Sequence, residues 1–208
     1  MNKSIICIET STDVCSMALY ENKKISLLKE DNTKKHSQLL APFLDSIIKE
    51  CNFKIMNLDA IAISIGPGSY TGLRIGLSFA KGIAFSINKP IIAVDTFDGI
   101  NLEIDDSDYC IITRGFGEYY FIQEYNKGKK KGKIKFDVIE TCQNKKIYGY
   151  GISDGYEGLN FVEICPSAKN IGLMAIEHFD KNIYNDIELL EPNYVKHIRY
   201  KKNKNIRT

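Results

Sequence analysis

At 208 residues, 44% of them hydrophobic, the chain is long enough to bury a sizeable core and short enough for one large domain or two small lobes. It holds no apolar run of eighteen residues, and its N-terminal stretch MNKSIICIETST lacks a signal-peptide core, so the expected location is cytoplasmic, with no membrane partner. The net charge of +2 conceals a segregation, because Asn126–Phe136 and Val195–Thr208 carry six Lys or Arg residues each and no acid, leaving an acidic body.

Ser4–Glu9, Val14–Tyr20 and Ile25–Lys29 read as three antiparallel strands joined by the polar turns TSTD and ENKK. In His36–Cys51 the apolar residues Leu39, Leu40, Phe43, Leu44, Ile47 and Ile48 recur at helical spacing, and Pro42 inside that pattern must fall in the first turn or kink the helix. Ala60–Ile65 is apolar throughout, as a strand buried on both faces is. A helix follows to about Ile87, and KPIIAVDT supplies another strand, giving the order βββαβαβ. A lobe boundary falls between Thr96 and Tyr109, which divides the chain into a lobe over 1–100 and a smaller one over 101–208. Beyond it, YCIITRGFGEYYFIQEY and KIKFDVIET flank the lysine loop as strands, KIYGYGIS and NFVEI add two more, and Ser167–Phe179 reads as a helix before an extended tail. Six cysteines without a C-x-x-C pair read as reduced, buried thiols.

The stretch SIGPGSYTGLRIGLSFAKG, residues Ser64–Gly82, has the look of a phosphate loop, yet it fits neither G-x-x-x-x-G-K-[ST] nor G-x-G-x-x-G. Read as a helix, it places Gly72, Gly76, Ala80 and Ala84 on one stripe almost free of side chains. Two interior glycines cost a helix roughly 1–2 kcal/mol, so something must approach the bare backbone closely. Together with Leu73, Leu77 and neighbouring Ile and Phe residues the apolar arc spans about 200°, wider than one sheet requires, and this predicts a second apolar partner. The preceding helix is the first candidate, with His36, Leu39, Leu40, Phe43 and Ile47 on the facing stripe, and both helices are expected to continue into an intermolecular contact. Ser69 or Thr71 is expected to cap the helix, and Gly66, Gly68 and Ser69 leave open an anion held at its first turn. Packing within the chain, an oligomer contact and anion binding stand as three readings of the same residues.

The segments IICIETSTDVCSMALY, KKHSQLLAPFLDSIIKE, LDAIAISIGPGSYTGLRIGLSFAKGIAF and KPIIAVDTFDGI resemble, in order and spacing, the bacterial TsaB (YeaZ) family from Ile5 to about Gly99. TRGFGEYYFIQEY and LLEPNYV echo it more loosely. The resemblance implies an α/β, actin-like (ASKHA, ribonuclease-H-like) two-lobed fold with mixed sheets and a reduced second lobe. It also implies a noncatalytic partner of TsaD, joined by TsaE, in placing threonylcarbamoyladenosine on tRNAs that read codons beginning with adenosine. Family dimers form through the two helices matching His36–Cys51 and Ser69–Ile87, so a heterodimer with TsaD, or a homodimer, is expected there, with tRNA reached through the complex.

In the catalytic relative two metal-binding histidines follow the strand matching KPIIAV; here Thr96 and Ile100 stand at those positions, and His36, His178 and His197 have no metal-site spacing, so no metal is expected. His36 reads as a capping or interface residue. Glu9, Thr10, Ser11 and Thr12 occupy the hairpin turn where actin-like folds hold nucleotide, and they are read as a vestigial site; ATP or ADP with magnesium is expected at most at the level of the complex. The alternative is an autonomous actin-like ATPase or small-molecule kinase using that turn. Both basic segments are read chiefly as solvated surface, with attraction to tRNA phosphates as the second reading.

Overall fold

The structure is a computed structural model that describes residues 3–142, 144–152, 158–179 and 183–195. Its first sheet begins as an antiparallel meander of β1 (Ser4–Glu9), β2 (Cys15–Glu21) and β3 (Lys24–Asp31). Helix α1 (His36–Glu50) then leads to β4 (Ala60–Ser64), which pairs parallel to β1, and α2 (Tyr70–Ile87) leads to β5 (Ile91–Val94), parallel to β4. The predicted order βββαβαβ is therefore the observed one.

Alternation along these strands sorts the side chains onto two faces, as pleating requires. Ile6, Ile8, Cys15, Met17, Leu19, Ile61 and Ile63 point to the side covered by α1 and α2, where Leu40, Ile47, Leu77, Ala80 and Ala84 meet them. Smaller residues, Cys7, Ala18, Ala60 and Ala62, occupy much of the other face. Pro42 lies in the second turn of α1 rather than its first, and both it and Gln38, whose carbonyl would take the missing N–H, are exposed. The wet side of a helix tolerates that loss best, because water can replace the bond.

Helix α3 (Thr96–Asn101), capped by the Asp95 side chain on the Phe97 N–H at 2.8 Å, forms inside what the sequence presents as a linker. The second sheet comprises β6 (Asp108–Arg114), β7 (Tyr119–Asn126), β8 (Lys129–Val138), β9 (Lys146–Tyr150) and β10 (Phe161–Glu163), in the order β10-β9-β6-β7-β8. Phe97 and Ile100 of α3 cover one of its faces with Tyr109, Ile111, Tyr125 and Tyr148.

The division at residue 100 needs correction. Helix α4 (Ala168–Glu177) returns to the small-residue face of the first sheet, and β11 (Ile183–Tyr184) pairs antiparallel with β5. Ala168, Ile171 and Ala175 have a ready-made partner there, and without them that face would stand bare to water. A Cβ on Gly172 would lie 2.1 Å from the Tyr20 ring, which shows how closely α4 seats. The second lobe is thus an insertion ending near Ile164. The basic tail from Lys196 onward, with His197, lies outside the described residues. The six cysteines are free: four are buried, while Cys51 and Cys165 are half-buried.

Candidate functional site

Three turns converge at one end of the first sheet. The hairpin turn after β1 brings Thr10 and Ser11 against the glycine turn before α2, where the Ser69 N–H donates to the Ser11 carbonyl at 2.6 Å. The Thr96 N–H at the start of α3 donates to the Gly66 carbonyl at 2.9 Å, and the Asn193 N–H from the C-terminal segment reaches the Ile65 carbonyl at 2.7 Å. Gly66 adopts φ +108°, a conformation that glycine alone enters readily.

The glycines serve this convergence. A Cβ at Gly68 would sit 2.3 Å from the Ser11 carbonyl oxygen, at Gly72 2.1 Å from the Thr10 carbonyl oxygen, and at Gly76 2.1 Å from Thr10 Oγ1. The close approach predicted from the bare stripe is real, and its occupant is the chain's own hairpin turn. Gly72, Leu73, Gly76, Leu77, Ala80 and Ala84 are all buried, as are Leu40 and Ile47 of α1, so none of them presents the partner surface expected of it. Leu39 and Phe43 are half-buried on the outer flank of α1. His36 is neither a cap nor a surface residue: it is buried, with Nε2 2.8 Å from the Thr12 carbonyl oxygen, and it ties the start of α1 to the hairpin turn.

Some of the donors that an anion at this turn would use are taken as well. Ser69 caps α2 as expected, its Oγ accepting from the Gly72 N–H at 3.2 Å, while its carbonyl accepts from the Leu73 N–H at 2.9 Å. The Ser69 N–H is also engaged by Ser11, so the N–H groups of Ser69, Gly72 and Leu73 are taken within the chain. Gly66 and Gly68 are correspondingly buried.

Beneath it lies a cluster of buried polar side chains. Glu9 is fully buried; its Oε1 accepts from the Ser11 N–H at 2.5 Å, while Glu9 Oε2, Thr10 Oγ1, Ser11 Oγ, Ser64 Oγ and Thr96 Oγ1 find no protein partner. Burial pushes the Glu9 carboxyl above the usual carboxylate range, against the opposing pull of the Ser11 and Thr10 donors. The folded chain therefore holds this proton more tightly than the unfolded one, and stability falls as pH rises from the unfolded pKa through the folded one. Glu9→Gln keeps the acceptor for Ser11 and removes the charge. It is expected to exceed the wild type at pH 8 by roughly 1 kcal/mol, about 2–4 °C in Tm, and to show no advantage at pH 4. Thermal melts at the two pH values check this.

The outer face of α2 has a different character. Tyr70, Arg74 and Phe85 share one stripe, with Phe85 80% exposed and Tyr70 54% exposed. The Arg74 guanidinium lies 4.1 Å from the Tyr70 ring centroid, and its Nε donates to Tyr194 Oη at 2.8 Å, so the C-terminal segment braces the ridge. Beside the ridge run Ser78, Gly82 and Ser86, exposed and four residues apart; a Cβ at Gly82 would meet nothing within 4 Å. Leu189, 75% exposed, belongs to the short 3-10 turn packed along the same helix. At helical spacing Arg74, Ser78 and Lys81 make this face polar, and Phe85 and Gly82, which break that polarity, are the signal in the sequence that marks it.

A search of protein families matches residues 27–142 to the family described as TsaD, tRNA N6-adenosine threonylcarbamoyltransferase. A tRNA threonylcarbamoyladenosine biosynthesis protein TsaB from Haemophilus influenzae is 26% identical over 164 residues, 76% of this chain and 67% of that protein. The chain belongs to the TsaB (YeaZ) family, relatives of TsaD. A TsaB from Buchnera aphidicola subsp. Acyrthosiphon pisum is 36% identical over 96 residues, and there the match spans 46% of this chain and only 43% of the relative's length. The solved structure of YeaZ from Pseudomonas aeruginosa superposes with a TM-score of 0.74 at 21% identity, covering 93% of this chain and all of that one. The architecture is thus the α/β, actin-like, two-lobed one of the YeaZ structures. No helix among the described residues is long and apolar enough to cross a membrane.

Proposed function

We propose that this chain is the noncatalytic partner of TsaD in making threonylcarbamoyladenosine on tRNA, and that it docks through the outer face of α2 and the adjoining flank of α1. The observation that carries the reading is the exposed ridge of Tyr70, Arg74 and Phe85 beside the bare strip of Ser78, Gly82 and Ser86. Aromatic and arginine side chains are the residue types that anchor protein interfaces, and a strip without side chains lets a second helix approach closely. In this reading the interface moves by about half a helix turn from the inward stripe of Gly72 and Gly76 to the outward one.

A homodimer through the same face would compete with the heterodimer, TsaE joins the assembled pair, and tRNA is reached through the complex. The autonomous ATPase or small-molecule kinase reading asks for free donors at the hairpin and glycine turns, where the Ser69 and Gly72 N–H groups are already engaged within the chain. ATP or ADP with magnesium is assigned at most to the complex. The test is reconstitution with labelled threonylcarbamoyl donor and unmodified tRNA. This chain alone is expected to transfer nothing, and its addition to TsaD and TsaE to raise transfer at least tenfold; transfer by the chain alone would overturn the noncatalytic assignment.

A further inference from the structure

The lysine loop of the sequence forms the β7–β8 hairpin at the edge of the second sheet. Its tip is the two-residue turn Lys127–Gly128, both at positive φ, and it is fastened to the body at three points. The Lys127 N–H donates to the Ser107 carbonyl at 2.7 Å, and Asn101 Nδ2 donates to the Gly128 carbonyl at 3.1 Å. Lys130 Nζ lies 3.1 Å from Asp95 Oδ2 and 2.8 Å from Asp98 Oδ1 at the start of α3. Pairing sends alternate side chains to opposite faces, so an inward Lys130 turns Lys129 and Lys131 outward.

Three acids around the hairpin are already matched. Glu124 is held by Lys135 and Lys145, Asp108 by Lys145, and Asp106 by Lys146. Lys127, Lys129, Lys131 and Lys133 are exposed and have no ion-pair partner among the described residues. Lys133 follows Gly132, at φ +71°, in a bulge where the residues between Lys131 and Lys135 stand against Gln123.

We propose that this hairpin is a docking surface for the phosphate backbone of tRNA. The stretch Asn126–Lys133 contains no apolar or aromatic side chain. Protein interfaces deplete lysine and need an apolar centre, whereas backbone recognition of a nucleic acid needs only positioned cations. Lysines on an edge strand also discourage sheet-to-sheet pairing, which one or two of them accomplish; four unmatched cations on a hairpin braced at three points, in a chain whose body outside its two basic segments is acidic, go beyond that need. With nothing there to stack a base, binding is independent of sequence. The choice of tRNA among polyanions rests on the function proposed above, while the cationic surface does not.

The test is fluorescence anisotropy of an unmodified tRNA with the full chain and with a variant carrying Lys127→Asn, Lys129→Gln, Lys131→Gln and Lys133→Gln. Asparagine is chosen at 127 because it tolerates positive φ. Loss of four phosphate contacts is expected to flatten the slope of log K against log salt by roughly 3 and to weaken binding at 50 mM salt at least tenfold. The variant should keep its melting temperature and its affinity for TsaD, so failure here is separable from failure of the partner reading. A salt slope unchanged by the four substitutions, or lost only on deleting Lys201–Thr208, would overturn the proposal. So would displacement of tRNA by poly-glutamate of equal charge concentration, because the surface would then select no nucleic acid.

Discussion

Replacing Gly72 by valine is expected to destabilise the chain by about 3 kcal/mol, a fall of roughly 6–12 °C in Tm. The added Cβ would lie 2.1 Å from the Thr10 carbonyl oxygen, and backbone cannot rotate aside as a long side chain can. Either α2 must lift from the hairpin turn, loosening Leu73 and Leu77 from the core, or the turn must move and break the Ser69–Ser11 bond. Helix propensity opposes the loss by less than 1 kcal/mol, too little to change its sign. Gly82→Ala makes a comparable change ten residues later on the same helix, where the new Cβ meets nothing within 4 Å. It is expected to raise stability by about 0.5–1 kcal/mol. Opposite signs on one helix separate the glycines that admit the chain's own turn from the one left bare on the surface. A Gly72→Val protein that melts with the wild type and loses only partner affinity would return the inner stripe to the interface.

Gly82→Leu should leave folding intact and weaken the complex with TsaD by 30-fold or more. The leucine projects into open space in the free chain, so its effect on the melting temperature is small and favourable. In the complex it would stand where a partner helix comes closest, and the whole side chain must be accommodated between two backbones. Phe85→Glu attacks the same face chemically, since a charge replaces an 80%-exposed ring that burial in an interface would desolvate. Truncating an anchor of that kind is worth about 2 kcal/mol or more, the thirtyfold expected. Isothermal titration of TsaD with each variant, beside thermal melts, reads both quantities; unchanged affinity for both variants would remove this face from the interface.

What the sequence reveals and what it conceals divide along physical lines. The run AIAIS announces β4 because a strand buried on both faces is apolar at every position, and Ser69 announces the start of α2 because its hydroxyl suits an unpaired N–H. The stripe of Gly72 and Gly76 announces close approach with equal clarity, but periodicity fixes only the angle between two stripes of a helix. What each stripe meets is decided by chain distant in sequence, here Thr10 and Ser11, some sixty residues earlier. The same limit governs His36, whose polar ring at a helix start reads as a cap until Thr12 is brought beside it. The periodicity of Ser167–Phe179 announces helix α4, yet its return to the first sheet depends on a face of Cys7, Ala18, Ala60 and Ala62 whose need for cover no local pattern records. Phe85 and Gly82 were visible as exceptions on a polar face, and exceptions of that kind mark where a surface has a use.

The most direct test of the partner reading is the mass, by light scattering after gel filtration, of this chain mixed with an equal amount of TsaD. The account predicts one species with the summed mass of the two chains, absent when Gly82→Leu replaces the wild type. Two separate peaks at the masses found for each protein alone would contradict it.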